Sequence, residues 1–122
     1  MEECMEAKND STRLVLSYIK ALDSQNYDTA LEYLNEKIQV KGPGGETFSN
    51  PREFLDMLRQ YHVKYDMKKV FSDGEDIGLV YDLATPLATL TMFSWYQVKS
   101  GKIAFIQTIF DPRPLTLPAS TA

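Results

Sequence analysis

The chain is 122 residues long, 13.9 kDa, 43% hydrophobic and 25% charged. That is one domain of globular composition, with about two-thirds of its surface buried on folding, which excludes both a second domain and a chain without a core. Thirteen Lys and Arg against seventeen Asp and Glu give a net charge of −4 and a pI near 4.9, so no overall field attracts phosphate backbones and nucleic acid is not an expected partner.

Residues 1–10 are polar and are expected to form a disordered tail, with a single domain over 11–114 and a loose end over 115–122. The one cysteine, Cys4, permits no internal disulfide and no Cys-based metal site and fits a cytoplasmic location. No run nears the ~18 apolar residues of a membrane span, and the start lacks the pattern of a signal peptide, so no membrane contact is expected.

Asp10, Ser11 and Thr12 are N-cap residues, and Leu14, Val15, Tyr18, Ile19 and Leu22 recur at helical spacing, which predicts a helix over about 12–24. Ser24-Gln25-Asn26 breaks it. Tyr27, Ala30, Leu31 and Leu34 predict a shorter second helix, folded back as a hairpin. Ile38 and Val40 around Gln39 mark a short strand that runs into the turn-rich Lys41-Gly42-Pro43-Gly44-Gly45. This loop lacks the Lys-Ser/Thr ending of a phosphate loop and reads as a strand turn. Asn50-Pro51-Arg52-Glu53 is a capping sequence with Pro at the first helical position, and Phe54, Leu55, Leu58 and Tyr61 follow as the buried stripe of a third helix.

From 63 onward the period changes to two. Val63, Tyr65 and Met67 alternate with Lys64, Asp66 and Lys68, and Lys64, Lys68 and Lys69 read as a solvated edge. After Ser72-Asp73-Gly74, Ile77, Leu79, Tyr81 and Leu83 alternate up to Pro86. Strands follow over about 88–99 and 103–110, joined by a tight turn at Ser100-Gly101. The last two strands are apolar on both parities, with Leu90, Met92 and Val98 against Phe93 and Trp95, and Ile103, Phe105 and Ile109 against Ala104, Ile106 and Phe110. Three helices cover one face of such a sheet; the other calls for a homodimer through the sheet face.

The fold class is α+β, a strongly curled mixed or antiparallel sheet that forms a cone around three N-terminal helices. Three segments carry a resemblance over residues 11–114: Tyr18-Ile19-Lys20-Ala21-Leu22-Asp23 with Tyr27-Asp28, Asn50-Pro51-Arg52-Glu53-Phe54-Leu55, and Gly101-Lys102-Ile103 leading to Phe110-Asp111-Pro112. In these the chain resembles the nuclear transport factor 2-like superfamily, the cone domain shared with ketosteroid isomerase and SnoaL-like polyketide cyclases. The resemblance implies a cystatin-like cone whose cavity takes a small, mostly apolar molecule, on a scaffold that also hosts isomerases, cyclases, hydrolases and non-catalytic dimerisation modules. Where ketosteroid isomerase carries its base, this chain has Val40-Lys41-Gly42. The strand of its second acid here reads Thr91-Met92-Phe93-Ser94-Trp95, without a carboxylate.

Members with activity place a carboxylate or phenol deep in the cone, where burial raises a carboxyl pKa. The catalytic candidates are therefore Asp82, mid-strand beside the small Ala84, and Asp111 at the rim, with a solvated face and an Asp-Pro turn as their structural alternatives. Tyr18, Tyr65, Phe93, Trp95 and Tyr96 are the ligand-binding candidates, the phenols as donors to a ligand carbonyl and Phe93 and Trp95 as pocket lining or dimer surface. His62, the only histidine, reads as a surface or capping residue. No metal-ligand spacing is present, and neither a metal nor a cofactor is expected.

Overall fold

Val15, Tyr18, Ile19 and Leu22 bury one stripe of the first helix, α1 (Glu2–Asp23). Their i, i+3, i+4, i+7 spacing gives it a single apolar face, each large side chain stabilising burial by roughly 1.5–3 kcal/mol. The computed structural model describes residues 2–61 and 64–110, so the expected tail over 115–122 lies outside the described residues. At the other end α1 starts at Glu2, through residues expected to be a disordered tail. The apolar stripe marks where a helix packs, and it does not limit how far the hydrogen-bond ladder runs back from it.

The helix ends as its sequence predicts, in a left-handed Gln25 with φ 61°. Gln25 N donates to Leu22 O at 3.0 Å and Asn26 N to Ala21 O at 2.8 Å, the two bonds of a Schellman stop. Asn26 then caps α2 (Tyr27–Glu32) by accepting from Thr29 N. Leu34, expected as the last apolar residue of that helix, instead opens β1 (Leu34–Lys41) opposite Ile103, because its side chain reaches the same core from either conformation. A two-residue strand, β2 (Thr47–Phe48), pairs back on β1. α3 (Pro51–Arg59) starts as expected: Asn50 Oδ1 accepts from Arg52 N at 2.9 Å and from Glu53 N at 3.2 Å. Arg59 lies 5.0 Å over the Tyr27 ring and ties α3 to α2.

Four long strands follow: β3 (Lys64–Asp73), β4 (Asp76–Ala84), β5 (Thr89–Lys99) and β6 (Lys102–Phe110). The described residues form one sheet in the order β2-β1-β6-β5-β4-β3, parallel only between β1 and β6. Register breaks add one residue to β3 between Met67 and Lys69 and one to β6, Ala104, opposite the Gln97–Val98 step of β5, which increases local twist and helps curl the sheet around the helices. Ser100 and Gly101, both at positive φ (53° and 76°), close the β5–β6 hairpin as a two-residue turn.

The alternation sorts the strands into two faces. Ile77, Leu79 and Tyr81 of β4, with Leu90, Met92, Ser94, Tyr96 and Val98 of β5, are buried against the helices. Val80, Asp82, Phe93, Trp95, Phe105 and Ile109 point the other way, with Phe93 37%, Trp95 38% and Ile109 55% exposed. Phe93 lies across Gly78 of the neighbouring strand, where a Cβ would stand 3.2 Å from its ring. The glycine is what lets the aromatic cover the strand.

Candidate functional site

The inner face of the sheet does not close completely onto the helices. Between α1, α3, the 42–46 loop, the 85–88 turn and the concave side of β3–β6 lies a mostly apolar cavity of about 550 Å³, the size of a small-molecule site. Phe54, Met57 and Leu58 of α3 form one wall, and Leu83, Leu90 and Met92 the opposite one. The third helix supplies these side chains because its capping sequence fixes where the first turn begins, and so which face meets the sheet.

The polar groups of the interior are hydroxyls. Tyr18, Tyr65, Tyr81 and Tyr96 converge on the cavity from α1, β3, β4 and β5. Tyr18 packs edge-on to Tyr96 with centroids 6.3 Å apart, and Tyr65 lies 5.5 Å from Tyr81. Tyr81 Oη and Ser94 Oγ share a hydrogen bond of 2.8 Å, and Ser94 Oγ continues to Thr108 Oγ1 at 2.9 Å. Tyr18 Oη is buried and has no hydrogen-bond partner among the described residues. Burial pushes all four phenols above their ordinary pKa, with the nearby phenols raising Tyr18, Tyr65 and Tyr96 further and the hydrogen bonds to Ser94 and Tyr96 partly offsetting the rise at Tyr81. They stay protonated and can act as donors.

The mouth is different in kind. Glu46, Tyr61 and Leu87 are exposed there. Leu87 is held out by a turn in which Thr85 Oγ1 donates to Ala88 O at 2.8 Å and accepts from the amides of Leu87 and Ala88.

Three of the expected ligand-binding residues, Tyr18, Tyr65 and Tyr96, meet in this cavity. Phe93 and Trp95 do not: both lie on the outer face, Trp95 edge-on to Phe105 at 5.0 Å and donating through Nε1 to Asp76 Oδ1 at 3.0 Å. Asp82 also corrects the expectation that it faces the cavity. It alternates away from Tyr81, accepts from Thr91 Oγ1 at 3.1 Å and stands 3.8 Å from Lys68 Nζ on the outside of the sheet. The reason is common to all three residues. The cavity continues the packed face of the sheet, so Ile77, Leu79 and Tyr81 select its parity and their neighbours are excluded. Asp111 and His62 lie outside the described residues. Tyr81 and Glu46 were not anticipated. Tyr81 was legible as a member of the packed parity, whereas Glu46 reaches the mouth through a loop conformation that no periodicity encodes. Among the described residues no cluster of three His, Cys, Asp or Glu side chains is placed to hold a metal ion, and no helix is long and apolar enough to cross a membrane.

Helices gathered on the concave side of a curled sheet, with an apolar cavity between, define the cone-shaped α+β domains. The comparisons make this particular. A nuclear transport factor 2-like protein of unknown function from Cytophaga hutchinsonii is 30% identical, over 86% of this chain and 93% of its own, with a TM-score of 0.80. The chain belongs to the nuclear transport factor 2-like family. An LEH-like epoxide hydrolase from M. tuberculosis shares the fold at 17% identity, with 84–85% of each chain covered, 85% of this one, and a TM-score of 0.74. So does a de novo designed protein with a curved β-sheet, at 18% identity and a TM-score of 0.76 over 87% of this chain and 88% of its own. No protein-family model matches the chain, and no curated protein sequence does.

Proposed function

We propose that this protein binds a small, mostly apolar molecule in the cone cavity, oriented by a hydrogen bond from Tyr18. The observation that carries the reading is the buried Tyr18 hydroxyl, without a partner among the described residues, at the wall of an apolar cavity of about 550 Å³. Leaving a buried hydroxyl unpaired costs about 1–3 kcal/mol, and an acceptor oxygen on a ligand would recover part of that. The relatives of known activity make acid-base chemistry a natural comparison, since an epoxide hydrolase shares the fold. The described lining offers protonated phenols but no buried carboxylate, which favours binding and orientation over a general base at Asp82.

The test is a thermal-shift screen of uncharged apolar ketones and alcohols. A ligand at one hundred times its Kd stabilises the folded state by about 2.7 kcal/mol, a rise on the order of 10 °C for a domain of this size. Filling the cavity with Leu90→Trp should abolish the response. A panel without a saturable shift, or a shift untouched by Leu90→Trp, would overturn the reading.

The outer face supports a second element of the proposal, a homodimer. Phe71, Phe93, Trp95, Phe105 and Ile109 form an aromatic and aliphatic patch there, and Trp95 is already fixed by Asp76 and Phe105. Two copies related by a two-fold axis would cover it. We propose a cytoplasmic location for this dimer, on the lone Cys4.

A further inference from the structure

Glu46 is the one charged side chain among the described residues that line the cavity. It stands at the mouth, in the loop between β1 and β2. That loop is closed by Gly42 N donating to Glu46 O at 2.8 Å, and Gly45 supplies a left-handed φ of 89°. The Glu46 side chain folds back over Gly42, into space that a Cβ at residue 42 would occupy, and it also lies within contact of Gly44. Two positions without side chains therefore make room for one carboxylate at the entrance. It has no ion-pair partner among the described residues. Pro43 of the same loop and the exposed Tyr61 and Leu87 line the cavity with it and add apolar surface.

Mouth and interior thus differ in a way that bears on a ligand's two ends. Among the described residues the interior offers hydrocarbon and hydroxyl donors and no charge, so a charged head would lose its hydration there without a counter-ion. The mouth offers a negative charge beside water. From this we infer that the cavity selects amphiphiles with an apolar body and a cationic, amine-type head, the body seated against the phenols and the ammonium at Glu46, and that it discriminates against carboxylates of the same body. This rests on the cavity being a binding site.

The experiment compares decan-1-amine, decan-1-ol and decanoate by isothermal titration calorimetry with the full chain, at pH 7.5 and low salt and below their aggregation concentrations. One hydrocarbon body with three heads separates the cavity from its charge preference. The amine should bind about three- to fivefold more tightly than the alcohol, the range of a partly solvated ion pair, and decanoate at least about tenfold more weakly than the amine. In Glu46→Gln the amine should fall to the affinity of the alcohol, whose own binding should not change by more than about twofold. Glu46→Lys should reverse the order of amine and decanoate. Raising the salt to about 0.5 M should narrow the gap in the unaltered protein, because a charge pair at the mouth is screened. Equal affinities for amine and decanoate, or a gap that persists in Glu46→Gln, would overturn this inference while leaving the cavity reading in place. No binding by any of the three would overturn both.

Discussion

The two faces of the sheet are built from the same strands, with similar hydrophobicity, and come to opposite ends. In β5, Leu90, Met92, Ser94, Tyr96 and Val98 are buried, and the residues between them, Thr91, Phe93 and Trp95, are exposed. Residue type does not make that difference, since Phe93 and Trp95 are larger and at least as apolar as Ser94. Covering by the helices does: α1 and α3 pack on one face only, and whatever shares its parity becomes core. A consequence follows for chemistry. Polar groups admitted to the inner face must find partners inside it, as Tyr81, Ser94 and Thr108 do, whereas Asp82 and Asp76 on the outer face are half-solvated and pair with Thr91 and Trp95.

The largest expected contrast between the faces is in alkali. Tyr18, Tyr65, Tyr81 and Tyr96 are held protonated by burial, so their pKa in the folded state lies above the value near 10 they take when unfolded. The sign follows from proton counting: above pH 10 the unfolded chain holds fewer protons than the folded one, and stability falls as pH rises. Below pH 10 these groups leave stability unchanged. Four phenols give a limiting slope of about 5 kcal/mol per pH unit. Ultraviolet titration of phenolate should therefore show these four ionising together with the loss of far-ultraviolet circular dichroism. Four phenols that ionise one by one while the fold persists would mean that the inner face is open to water.

Next in size is the same truncation made on each face. Leu79→Ala empties a fully buried position of β4 and should cost about 3–4 kcal/mol in urea unfolding. Phe93→Ala removes a larger side chain from the outer face, and in a single copy of the chain it should cost less than half as much. Its effect should appear in association instead. Light scattering at micromolar concentration should give about twice the 13.9 kDa chain mass for the unaltered protein and the single mass for Phe93→Glu, which puts a charge in the middle of the patch. A single-chain mass for the unaltered protein would remove the dimer and leave the outer aromatics unexplained.

These contrasts also show what was legible in the sequence. The period of two along Ile77, Leu79 and Tyr81, the helical stripe Val15, Tyr18, Ile19 and Leu22, the Asn50-Pro51 start and the Ser100-Gly101 turn are local signals, and each marks an element that formed there, although α1 runs back to Glu2, well before its stripe. What period two cannot supply is which face the helices choose, because both parities of β5 and β6 are apolar. The assignment of Asp82, Phe93 and Trp95 to a cavity failed at that point, and Tyr18, Tyr65 and Tyr96 came together in it because their parity and helix face belong to the packed side. Glu46 was invisible for another reason. Its place depends on a glycine-permitted loop, and a loop's path is set by the two strands it closes and not by any repeat along the chain.

The smallest expected effects are the most specific, and they come from deleting one oxygen at two positions of the inner face. Tyr81→Phe removes a hydroxyl that bonds Ser94 at 2.8 Å. It also takes a hydroxyl partner from Ser94, itself fully buried, so it should destabilise the fold by about 1–1.5 kcal/mol. Tyr18→Phe makes the same deletion where the hydroxyl has no partner among the described residues. The folded state then sheds an unpaired polar group, and without ligand the variant should be as stable as the unaltered protein or more stable by up to about 1 kcal/mol. With a saturating apolar ketone the order should invert, because only the unaltered protein can donate to the carbonyl, and the thermal shift should shrink in Tyr18→Phe but not in Tyr81→Phe. A loss of stability in ligand-free Tyr18→Phe equal to that of Tyr81→Phe would show that the Tyr18 hydroxyl is satisfied inside the fold. It would then have no free hydrogen bond to offer a guest.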